Sequence, residues 1–156
     1  MNRFPGVDFI DFESLLTEEQ RMVRDTVRAW VDEKIKPIIE ECHREARFPL
    51  DLVPEMGAMN LFGSNLKDYG LPGLDSVAYG LIMQELERGD SGLRSFVSVQ
   101  SGLVMYPIYT FGSQAQKDRW IPQLASGAAI GCFGLTEPDF GSNPGGMRTR
   151  ARKVGS

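Results

Sequence analysis

Two stretches of the chain hold the residue types and spacings that chemistry needs. Phe133-Gly134-Leu135-Thr136-Glu137-Pro138-Asp139-Phe140-Gly141-Ser142 runs from apolar, strand-like residues into a tight loop. The hydroxyls of Thr136 and Ser142 both donate and accept, Gly141 permits close backbone approach, and Pro138 fixes the path of the loop. Such a loop can hold a ring edge or a phosphate, although the same composition also serves a surface turn. The second stretch, Gln84-Glu85-Leu86-Glu87-Arg88-Gly89-Asp90-Ser91-Gly92-Leu93-Arg94-Ser95, is a charged corner leading into apolar sequence. Arg94 opens that apolar run, where a desolvated guanidinium is costly without a partner. Glu87, seven residues earlier, can supply one, and an ordinary ion pair at a helix junction satisfies the same residues.

Other reactive types are unremarkable in their settings. His43, the single histidine, lies in Glu40-Glu41-Cys42-His43-Arg44-Glu45 with no matched base or ligand set, so a structural role is expected. The seven methionines and two tryptophans fall mainly at helical core spacing. No glycine pattern for phosphate or dinucleotide binding follows a strand and opens a helix, and no metal-ligand spacing is visible.

The elements that must position these stretches are mostly helical. Thr17-Glu18-Glu19-Gln20 has the form of a capping box. It opens an amphipathic helix with Met22, Val23, Val27, Trp30, Val31, Ile35, Ile38 and Ile39 inward and Glu18, Arg21, Arg24, Arg28, Asp32 and Lys36 outward. Pro37 lies inside the pattern and predicts a kink or break near Ile35. A second helix follows Pro49 and carries Leu52, Val53, Met56 and Met59 as far as Gly63. Residues 67–75 read as a loop, and a third helix carries Val77, Leu81, Ile82, Glu85 and Leu86. Gly89 to Gly92 break the pattern before a fourth helix, apolar from Leu93 through Tyr109 and expected to be buried. Ser113-Gln114-Ala115-Gln116 is a second capping box and opens a fifth helix with Trp120, Ile121 and Leu124. From Ile130 a short apolar run predicts a strand, a Pro- and Gly-rich loop with an Asn143–Gly146 turn follows, and residues 147–154 predict a second strand. In that tail Arg148, Arg150, Arg152 and Lys153 alternate with smaller residues, as on a strand with one solvated face.

Composition narrows the function classes. A hydrophobic fraction of 42%, a charged fraction of 24% and a net charge of −4 describe a folded chain without the basic face that nucleic-acid binding needs. Cys42 and Cys132 are isolated, which suits a reducing, cytoplasmic-type setting. No apolar run is long enough to span a bilayer and no leader is legible at the start, so neither membrane insertion nor export is expected.

The sequence Leu135-Thr136-Glu137-Pro138-x-x-Gly141-Ser142 resembles the flavin-binding signature of the acyl-CoA dehydrogenase family. Its place after five helices fits that family's order: a helical N-terminal domain, a middle β domain and a C-terminal four-helix bundle. The resemblance covers essentially the whole chain and implies a mainly α fold, with an N-terminal helical domain at 1–128 and the beginning of the β domain at 129–156. It further implies FAD as cofactor, with Phe133, Gly134, Leu135, Thr136, Glu137, Pro138, Gly141 and Ser142 along it and Ser142 also near the acyl-CoA. Arg94-Ser95 followed by Ser98-Val99-Gln100-Ser101 is similar to the glutaryl-CoA dehydrogenase subgroup, in which the Arg receives the distal carboxylate of the substrate. Glu87, Arg94, Ser95 and Ser142 are thereby expected at the substrate.

The family's catalytic Glu belongs to the C-terminal bundle, so no residue here is assigned as the base, and the chain is expected to be a fragment with doubtful activity by itself. The resemblance also implies an electron-transfer flavoprotein as acceptor and a homotetramer for the full-length protein. Two other readings stand beside glutaryl-CoA oxidation: a general short-chain acyl-CoA dehydrogenase, and an inactive helical fragment or interaction module.

Overall fold

The computed structural model describes residues 8–155. Its helices are α1 Phe12–Leu15, α2 Glu18–Trp30, α3 Ile39–Arg44, α4 Val53–Ala58, α5 Ser76–Gly89, α6 Ser91–Ser98, α7 Tyr106–Phe111 and α8 Gln114–Ala125. Both capping boxes form: the hydroxyls of Thr17 and Ser113 accept the amides of Gln20 and Gln116, whose side chains return to the cap amides. The first helix pattern breaks where Pro37 requires it. α2 passes into a π-helical segment, Val31–Ile35, closed by Lys36 N donating to Val31 O at 3.0 Å, and α3 starts beyond the proline.

α2 and α5 lie side by side and run in the same direction. Gln20 Nε2 donates to Asp75 Oδ2 at 2.8 Å, Arg28 Nη2 to Glu85 Oε1 at 2.6 Å and Arg88 Nη1 to Asp32 Oδ1 at 2.7 Å, so the paired positions rise together along both helices. Asp75 also caps α5 by accepting Ala78 N, which ties the two helix starts to one carboxylate. At the far end a Cβ on Gly89 would sit 2.7 Å from Val31 Cγ1; the bare backbone there lets α5 close onto the π segment. The core gathers Val27, Val31 and Ile35 with Met56, Phe62, Leu86, Val97 and Ile121, all buried.

Three features differ from the sequence pattern. Arg24, expected on the wet side of α2, is buried, because α1 folds over it and Glu13 pairs with it. Met22, expected in the core, is 63% exposed. The fourth apolar stretch forms α6, a π-helical segment Val99–Met105 and α7, and it is buried on one side only. Leu93, Val97, Gln100, Ser101 and Met105 face the core while Leu103, Tyr106 and Phe111 face out.

No β-ladder forms among the described residues, in contrast to the two strands expected at 130–135 and 147–154. Residues 130–136 take no regular secondary structure, and the sole bridge among the described residues joins Glu137 to Phe140 across the Pro138-Asp139 turn. The two segments meet through a side chain instead: the Glu137 carboxylate accepts the amides of Arg148 at 2.8 Å and Thr149 at 2.6 Å. That carboxylate occupies the donors a neighbouring strand would otherwise take.

Candidate functional site

The charged corner is built by one aspartate. Asp90 ends α5 in an extended conformation and starts α6, its Oδ1 accepting Leu93 N at 2.7 Å. Its Oδ2 meets His43 Nε2 at 2.7 Å, which fastens α3 to the corner. His43 is exposed. On the outer side of the same corner, Arg94 Nε donates to Glu87 Oε2 at 2.6 Å, and Ser91 Oγ donates to Glu87 Oε1 at 2.7 Å. The Arg94 hydrogen bond, followed by that of Ser91, holds the Glu87 carboxyl below its ordinary range. With Nε committed to Glu87, the two terminal amino groups of Arg94 make no hydrogen bond among the described residues. The side chain is 35% exposed, so it is anchored at one edge and open at the other. Ser95 is half-buried beside it, its carbonyl accepting Ser98 Oγ.

The second locus is the loop from Phe133 to Ser142. Phe133, Gly134, Leu135, Thr136, Pro138, Gly141 and Ser142 are exposed, and the amides of residues 133–136 donate to nothing among the described residues. The hydroxyls of Thr136 and Ser142 are likewise unengaged there. A row of unpaired backbone donors with two hydroxyls fits the polar edge of a planar, hydrogen-bonding ligand. Glu137 differs from its neighbours, since its carboxylate is turned inward onto Arg148 and Thr149. Those amides, Arg148 first, lower its protonation range. Phe140 has the Arg148 guanidinium 5.5 Å from its ring centre and Gly146 close to its ring edge.

Sequence spacing thus brings Glu87, Ser91 and Arg94 together, but no hydrogen bond or ion pair joins that corner to residues 133–142 among the described residues. The connection runs through the helix. Gln100 lies six residues after Arg94, about 9 Å further along the axis, and its buried amide bonds residues 124, 129 and 131. The sequence offered one signal for it, a large polar amide inside a mostly apolar run. No group of residues able to hold a metal ion occurs among the described residues, and no described helix is long and apolar enough to cross a membrane.

Residues 17–128 match the family "Acyl-CoA dehydrogenase, N-terminal domain". The chain belongs to the acyl-CoA dehydrogenase family. Its structure is similar to that of a glutaryl-CoA dehydrogenase from Mycobacterium smegmatis in complex with FADH2, with a TM-score of 0.89 and 53% identity over 93% of this chain and 38% of that one. Butyryl-CoA dehydrogenase from Megasphaera elsdenii is similar at a TM-score of 0.78 and 28% identity, over 92% of this chain and 37% of that one. In sequence, the short-chain specific acyl-CoA dehydrogenase of Bos taurus mitochondria is 37% identical over 90% of this chain and 34% of its own length. The acyl-CoA dehydrogenase chain therefore spans roughly a third of the curated relatives it matches.

Proposed function

We propose that this chain is the N-terminal part of an FAD-dependent glutaryl-CoA dehydrogenase. The observation that carries the proposal is Arg94, anchored through Nε by Glu87 with its terminal amino groups open. An edge-anchored guanidinium offers two parallel donors to a second carboxylate, and such charge-assisted bonding supplies orientation as well as attraction. A monocarboxylic acyl chain would leave those donors without a partner. The greater similarity to the M. smegmatis enzyme than to butyryl-CoA dehydrogenase supports the same choice.

In this reading FAD, when bound, would supply the hydride acceptor for oxidation of the Cα–Cβ bond. The exposed run from Phe133 to Thr136, with its free backbone amides, and the hydroxyls of Thr136 and Ser142 would hold the flavin. Gly134, Pro138 and Gly141 shape the approach, and Ser142 also borders the acyl-CoA. Glu137 acts from beneath, keeping the loop folded on Arg148 and Thr149. Arg94 and Ser95 hold the distal carboxylate so that Cα and Cβ sit at the flavin. The α-proton goes to a carboxylate of the C-terminal part of the enzyme, and loss of CO₂ leaves crotonyl-CoA. A homotetramer passing electrons to an electron-transfer flavoprotein, in a cytoplasmic or matrix setting, completes the proposal.

The similarity to the short-chain dehydrogenase of Bos taurus favours a second reading, in which the acyl chain ends in a methyl group and Arg94 serves the corner alone. Anaerobic mixing with the chain joined to its C-terminal part separates the two. Glutaryl-CoA bleaches the flavin absorbance within one turnover and butyryl-CoA does so far more slowly. Equal bleaching by both substrates favours the short-chain reading, and no bleaching by either rejects the flavoenzyme.

A further inference from the structure

Among the described residues, the run that carries the candidate flavin loop is tied to the helices by Ala129 N, which donates to Gln123 O at 3.0 Å, and by the side chain of Gln100, the last hydrogen-bonded tie before the loop. Gln100, 1% exposed on the π-helical segment, uses its whole amide there. Its Nε2 donates to Leu124 O at 3.0 Å, at the end of α8, and to Ala129 O at 2.9 Å, while its Oε1 accepts Gly131 N at 3.0 Å. Gly131 is pressed onto the same stretch, where an added Cβ would lie 2.3 Å from Val104 Cγ1. Beyond Gly131, every hydrogen bond among the described residues stays inside the 132–155 segment: Glu137 to Phe140, Arg148 and Thr149, and the turn at Asn143 to Met147. Ile130, Phe133 and Leu135 are 53%, 50% and 38% exposed, so burial does little to hold the run in place.

We propose that Gln100 is the positioning residue of this loop. From inside the helical body it sets where residues 129–131 depart, and so where residues 133–142 stand relative to Arg94, two turns earlier on the same helix. Only a carboxamide of this length both donates twice and accepts once. A glutamate keeps the reach but presents acceptors to two carbonyls, and a leucine keeps the volume but offers no polar atom. The consequence for flavin rests on the function proposed above; the clasp itself does not.

The test measures amide hydrogen exchange in the wild-type chain and in Gln100→Leu, with Ser101→Ala as the comparison. Ser101 is equally buried on the same segment but bonds Gly63 N and Leu61 O, away from the loop. In Gln100→Leu the Gly131 amide exchanges about tenfold faster than in Ser101→Ala, the effect of one lost buried hydrogen bond, while the α2 and α5 amides keep their protection. Gly131 exchanging alike in both variants, or rising only together with all helical amides, overturns the proposal. FAD titration of the same substitutions in the chain joined to its C-terminal part provides the second readout, with Gln100→Leu weakening affinity about tenfold and Ser101→Ala leaving it unchanged. Unchanged FAD affinity beside a freed Gly131 amide overturns the positioning role. A wild type that binds no FAD removes the flavoenzyme reading and leaves the clasp to be judged by exchange alone.

Discussion

At the scale of single residues, Asp90 does three jobs with few atoms. Its carboxylate caps α6 and meets His43, and its carbonyl accepts Arg94 N at 3.1 Å, so Arg94 inherits its position from this cap. Replacing an aspartate cap by alanine costs about 1 kcal/mol. Asp90→Ala is therefore expected to lower the urea midpoint by a corresponding amount and to speed exchange at Leu93 N, whereas His43→Ala, which leaves the cap in place, shifts the midpoint much less. A similar midpoint loss in both variants would assign the stabilisation to the His43 contact instead. Much of this corner was legible in sequence, because Gly89-Asp90-Ser91-Gly92 breaks one helix and supplies a cap residue for the next. The reach of Glu87 to Arg94 followed from their facing positions across that break. Gln100 was not legible as a clasp, since all its partners are backbone groups 24 to 31 residues away and periodicity says nothing about those.

At the scale of elements, α2 and α5 are joined by a charge cluster around one buried carboxylate. Glu85 is fully buried and accepts from Arg28 Nη2 and Arg88 Nε, both at 2.6 Å, and Arg88 continues to Asp32. Burial, the largest single influence on Glu85, raises its carboxyl, but the hydrogen bonds and charges of Arg28 and Arg88 together leave it below its ordinary value. A carboxyl lowered by folding adds stability that is complete above its unfolded value near ~4.3 and fades as pH falls through the folded value. Glu85→Gln should thus destabilise the chain at pH 7 by about 3 kcal/mol, with a gap to wild type that narrows below about pH 4 in thermal melts. A gap independent of pH would mean that shape, not charge, carries the effect. The pairing of these helices was hidden in the sequence even though each helix was clear. A periodic stripe gives the face a helix buries but not its partner or direction, and Arg24 shows the limit, its burial depending on an unforeseen helix, α1.

At the scale of the whole molecule, a helical body presents an open corner at Arg94 and an unpaired loop at residues 133–142, linked by one helix. The strands expected around that loop did not form, because a period-two pattern describes a strand's faces and not the edge it must pair with. Leu103, Tyr106, Phe111, Ile130 and Phe133 remain exposed. In the proposed function, Arg94 reads the distal carboxylate of a dicarboxylic acyl-CoA. Steady-state kcat/KM for glutaryl-CoA and butyryl-CoA, compared between wild type and Arg94→Ala in the chain joined to its C-terminal part, tests it directly. Loss of a charge-assisted contact predicts a fall of about a hundredfold for glutaryl-CoA, with butyryl-CoA changed by less than about threefold. An equal fall for both substrates, or none for glutaryl-CoA, would contradict it.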